Sequence, residues 1–162
     1  RLPPLLCVAA LAAATTALSA CGSDELSVDD FTKQADKVCR DNQEEFSSIQ
    51  GTPPKTADQA EAQAEALIEV ADQALDELRS LSPPEDIAAT YDRYLEARER
   101  ALGYLEDGRD AAAANDPKAY AAAKRKAAAG QAARLALARD VGLRDCSRPS
   151  VSLGGDQAAS PG

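Results

Sequence analysis

The sequence predicts an all-α protein, an antiparallel four-helix bundle in up-down-up-down order. Three observations carry this. Four stretches repeat apolar residues at helical spacing of three and four. Breaks rich in Pro, Gly, Ser and Asn separate them, at 51–54, 82–84 and 115–117. Alanine, the strongest helix former, fills much of what lies between. Connections this short make consecutive helices antiparallel neighbours, and the first helix then lies beside the last.

The first helix is expected over 28–50. Ser27 reads as its N-cap, with Asp29 and Asp30 in the first turn where they complement the helix dipole. Phe31, Ala35, Val38, Asn42, Phe46 and Ile49 form its stripe, with Cys39 at the border. Gly51-Thr52-Pro53-Pro54 ends it. Thr56 and Gln59 have the form of a capping box for the second helix, whose stripe is Ala60, Ala64, Leu67, Ala71, Leu75 and Leu78, with Ile68 and Ala74 beside it, ending near Leu81. Ser82 and Glu85 read as another capping box, with proline in the first turn of the third helix. Its stripe is Ile87, Tyr91, Tyr94, Leu95, Arg98, Leu102 and Leu105. Arg98 interrupts it, and the expectation is a stem along the core edge with the charged head in water. Gly103 and Gly108 weaken this helix, which ends near Gly108 or runs on through Ala114. The fourth starts at Asp116 as N-cap with Pro117 at the first position and runs to about Val141. Its anchors are Tyr120, Ala127, Leu135, Leu137 and Val141, and Gly142 followed by Leu143 fits a Schellman-type end. Residues 147–162, rich in Ser, Gly, Pro and Ala, read as a disordered tail.

Ahead of the bundle, residues 5–18 are almost wholly apolar. A run of about fourteen is too short to span a bilayer, which takes roughly twenty, and fits the h-region of a signal peptide. The chain opens on Arg1 and holds no Met, so the true start is expected upstream, and the positive charges that usually open such a leader play no part in this reading. The apolar run closes on Leu18-Ser19-Ala20-Cys21, which resembles the lipobox of bacterial lipoproteins at all four positions. The resemblance implies that residues 1–20 are removed, that the Cys21 thiol carries diacylglycerol, and that 21–27 form a short tether to the outer face of the cytoplasmic membrane. Each buried methylene contributes about 0.8 kcal/mol, so two or three acyl chains anchor firmly where one would not.

The mature chain is one domain's worth. Net charge is −9, and losing Arg1 makes it one unit more negative. A chain this acidic, with no His or Trp and 4% aromatics, is a poor nucleic-acid binder. Large apolar residues are sparse, and alanine buries little area, so the core of 28–146 is expected to be thin and to need a staple. With Cys7 leaving in the leader and Cys21 lipidated, Cys39 and Cys146 remain in an oxidising setting, where a bridge is the default.

An ordered set of motifs runs through the chain: the lipobox, Ala35-Asp36-Lys37-Val38-Cys39, Leu78-x-x-Leu81-x-Pro83-Pro84, and Gly142-Leu143-Arg144-Asp145-Cys146. It resembles the small Ala-rich helical lipoproteins and secreted proteins of actinobacteria. That resemblance implies a fold and a place outside the cell, and carries no catalytic residue with it.

No constellation points to catalysis. The absence of His removes the Ser-His-Asp set and the Glu-x-x-His di-iron pattern, and a zinc site lacks its usual ligands. There is no Gly-rich phosphate loop, so no cofactor is expected. Asp58, Glu61, Glu65, Glu69, Asp72 and Asp76 form an acidic face that is read as solvated, since carboxylates one turn apart do not build a calcium cage. Lys118, Lys124, Arg125, Lys126, Arg134 and Arg139 make the fourth helix basic, for solubility and pairing with acidic helices, or for anionic headgroups. Tyr91, Tyr94, Tyr104 and Tyr120 read as core residues with wet hydroxyls, or as the lining of a groove. The leading expectation is a non-enzymatic, lipid-anchored module that binds another envelope component through a helix face. The alternative is a small-ligand carrier with a pocket between the helices. A solid interior with an exposed patch marks the first, a concave apolar pocket the second.

Overall fold

The computed structural model describes residues 26–149. The leader, Cys21 and the tail beyond 149 lie outside them. Side-chain caps start three of the four helices where the sequence places them. The Ser27 hydroxyl accepts the Asp30 N–H at 3.1 Å and opens α1, Val28–Gln50. Thr56 accepts the Gln59 N–H at 3.2 Å and opens α2, Ala57–Arg79. Asp116 accepts the N–H groups of Lys118 and Ala119 and opens α4, Pro117–Val141, with Pro117 in the first turn.

The exception is α3, Glu85–Ala113, whose N-cap is Pro84 with no side-chain bond. The capping box expected at Ser82 and Glu85 does not form. A residue before proline is pushed out of the α region; Pro83 precedes Pro84, so it cannot be the first helical residue after a Ser82 cap, and the helix starts at Glu85. The Ser82 carbonyl instead accepts the Leu26 N–H at 3.3 Å, tying the start of the described chain to the α2–α3 turn. α3 continues past Gly108 to Ala113. Asn115, at φ 51°, then turns the chain toward α4; asparagine is among the non-glycine residues that take this conformation most readily.

The helices pack in sequence order, α1 on α2, α2 on α3, α3 on α4. Among the described residues α1 and α4 make no close backbone approach along their length. They come together toward one end, where Ala138 and Val141 of α4 share a buried cluster with Phe31 and Ala35 of α1 and the segment after α4 runs onto α1. Gly142 is left-handed at φ 90°, and the Leu143 N–H reaches back to the Ala138 carbonyl at 2.9 Å, completing the Schellman end. The chain then runs onto α1. Cys146 bonds Cys39, with Cα atoms 5.0 Å apart. The Asp36 carboxylate accepts the N–H groups of Arg144, Asp145 and Cys146 at 3.0, 2.8 and 3.4 Å. Arg40 pairs with Asp145 at 2.7 Å, and Gln43 donates to the Asp145 carbonyl. Ser147 and Arg148, read from sequence as the start of the tail, are still bonded here: the Ser147 hydroxyl donates to the Arg144 carbonyl, and the Arg148 N–H to that of Asp145.

The core concentrates at this closed end. Phe31, Ala35, Cys39, Leu78, Tyr91, Tyr94, Ala138, Val141, Leu143 and Cys146 are buried together. Phe31 meets Tyr91 edge to face, with centroids 4.8 Å apart. A large side chain such as Phe31, fully removed from water, contributes about 1.5–3 kcal/mol. The buried residues of α1 all lie in its first half. No described helix is long and apolar enough to cross a membrane.

Candidate ligand cleft between the first and last helices

Beyond the disulfide the packing changes. Phe46 on α1 and Leu102 and Leu105 on α3, all in predicted stripes, are only half-buried. The reason is the missing approach of α4 to α1. Held together at one end, the two helices leave between them a cavity of about 220 Å³, floored by α2 and α3 and partly open to solvent. All four helices contribute to its wall. Phe46, Leu67, Leu102 and Leu105 make it apolar, together with small residues such as Ala64 and Ala127. Gly108 on α3 faces Ala123 and Tyr120 of α4, which stand 3.9 and 4.0 Å from where a Cβ would be, an ordinary contact distance.

The four tyrosines divide between the two predicted roles. Tyr91 and Tyr94 are core, but their hydroxyls are not wet. Tyr91 donates to the Leu78 carbonyl at 2.8 Å. Tyr94 donates to the Cys39 sulfur, which as part of a disulfide has no proton of its own, at 3.4 Å. Tyr104 and Tyr120 are half-buried and line the cavity.

The inner end of the cleft is built around Arg98. Its head does not stay in water, as the stripe pattern suggests. Nη1 donates to the Tyr94 hydroxyl at 3.1 Å, and Nη2 to Asn42 Oδ1 at 3.0 Å. Asn42 is held in turn by donating to the Val70 carbonyl. Acceptors with fixed positions turn an arginine inward, because each buried donor left bare would cost more than the bond gains. Arg134, one of the basic residues counted on α4, also lines the cavity and not the outer surface. Burial first, and the neighbouring Arg98 second, push its guanidinium below the ordinary value. Sequence reasoning missed this pairing. The signal available was spacing: Arg134 follows the predicted anchor Ala127 by two helical turns, and so shares its face of α4.

The other predicted groups stay apart from the cleft. The acidic face of α2 is largely exposed, and no group of three or more His, Cys, Asp or Glu among the described residues is placed to hold a metal. Lys126 pairs with Asp107 across α3 and α4 at 3.0 Å, as expected for a basic helix beside an acidic one. In comparisons with known proteins, no family model, no curated protein and no solved structure matches this chain.

Proposed function

We propose that this chain is a non-enzymatic, lipid-anchored envelope protein whose helical bundle holds a small ligand in the cleft between α1 and α4. The observation that carries this is the 220 Å³ cavity walled by all four helices. Of the two roles the sequence suggests, a helix-face module calls for a filled interior and an exposed apolar patch. Here the interior is not filled, and Val28 is the one large apolar residue exposed among the described residues. A concave wall of Phe, Leu and Tyr with a few converging polar groups is the ordinary form of a small-molecule site. An acid–base enzyme would need carboxylates of differing environment in the cleft, and the cavity wall includes none.

Anchoring through Cys21 rests on the four lipobox positions. Two measurements test the proposal. Ala127→Phe fills the cavity, and should weaken binding of a neutral, environment-sensitive naphthalene dye at least about tenfold with helical content unchanged; an unchanged affinity counts against the cleft. Cys21→Ser should abolish labelling by an alkyne fatty acid in cells, and persistent labelling counts against the anchor.

A further inference from the structure

Asp and Glu outnumber Lys and Arg by 27 to 18 in this chain, yet the charged residues on the cleft wall are all cations: Arg98, Lys124, Arg134 and Arg148. Arg148 is answered by Asp145 at 3.0 Å, and Lys124 lies over the Tyr120 ring. The two at the inner end are not answered by acids. Arg98 gives its hydrogen bonds to neutral oxygens and a sulfur. Arg134 pairs with no carboxylate among the described residues. Two neighbouring guanidiniums in a partly desolvated place repel, and an oxyanion between them removes that cost. Guanidinium is the side chain best shaped for it, since its fork matches a carboxylate or phosphate edge. Away from this pair Phe46, Leu102 and Leu105 give the wall an apolar stretch, with Gln50 and Gln63 also on it.

Resting on the cleft's being a ligand site, we infer that the ligand is a single-chain organic anion, its oxyanion head between Arg98 and Arg134 and its short apolar tail along Phe46, Leu102 and Leu105. The volume sets the size of the tail. At about 220 Å³ the cavity lies below the roughly 300–1,000 Å³ of drug-sized sites, which suits one short chain and not a two-chain lipid.

The test is calorimetric titration of the full chain, carrying Cys21→Ser so that no acyl group of its own competes, with octanoate, octyl phosphate and octanol. The two anions should bind at least about tenfold more tightly than octanol, the scale of a charge-assisted hydrogen bond. The tighter of the two identifies the head as carboxylate or phosphate. Arg98→Gln combined with Arg134→Gln should erase the preference. If that variant does not fold, salt replaces it: raising ionic strength should weaken both anions and leave octanol unchanged. Equal affinity for octanoate and octanol overturns the charge inference and leaves the cleft as an apolar ligand site. Binding of none of the three overturns the ligand site as well.

Discussion

Tyr91 sits in the core with its hydroxyl on the Leu78 carbonyl, and burial first, then the neighbouring Tyr94, raise its pKa well above the usual phenol range. The consequence for stability follows in sign. Below about pH 10, the unperturbed tyrosine value, both folded and unfolded chains keep the proton and the group makes no difference with pH. As pH rises past that value, the unfolded chain releases the proton while the folded chain holds it, so stability falls. The urea midpoint should therefore decline from about pH 9 to about pH 11. Tyr91→Phe should flatten part of that decline, at a cost of about 1 kcal/mol near neutrality for the lost bond. A wild-type midpoint that stays level across this range would contradict the account. At this scale the sequence is a partial guide. It marks Tyr91 as core, because its spacing from Ile87 and Leu95 places it on the inner face. It does not show where the hydroxyl finds its acceptor, since the Leu78 carbonyl belongs to another helix.

Among the elements, α3 carries an avoidable weakness. Gly103 lies inside it, and a Cβ there would meet nothing within 4 Å. Gly103→Ala should raise stability by roughly 0.5–1 kcal/mol, read as a higher urea midpoint with an unchanged slope. Helix boundaries were the most legible feature of the chain. Ser27, Thr56, Asp116 and Gly142 each act through a local bond within a few residues of themselves, so the sequence contains all that is needed. The one failure, at Ser82, came from a rule that is also local, the restriction one proline places on the residue before it. The packing of α4 was less legible. Leu135 and Leu137, predicted anchors, are half-buried, while Ala123 and Ala138 face inward. In so Ala-rich a helix the hydrophobic pattern hardly distinguishes one face from another.

In the whole molecule, closure depends on few contacts. Cys39 and Cys146 are 107 residues apart, and in the chain-entropy model a crosslink over that distance is worth on the order of 4–5 kcal/mol. Replacing both by alanine should lower the unfolding free energy by that order, measured by urea titration; a difference within error would show that the Asp36 and Arg40 bonds hold the end of the chain by themselves. The pairing was legible because the chain holds only four cysteines, and the lipobox reading assigns Cys7 and Cys21 elsewhere. The cleft was not. It arises from two helices joined at one end and apart at the other, and no spacing within either one reports the distance between them. For the same reason Arg98 reads as a stem on the core edge with its head in water, and Arg134 as one of the charges of a basic helix.

Leu26 bonds the α2–α3 turn, so the described chain starts at that pole, whereas the segment after α4 runs along α1 from Asp36 to Gln43 and ends with Arg148 in the cleft wall. The cavity-lining Gln50, Gln63, Tyr104 and Tyr120 lie toward the opposite pole. A bead or a bilayer held close to Leu26 would thus stand at the pole away from Gln50 and Tyr120, while anything held close to Arg148 would crowd the cleft itself.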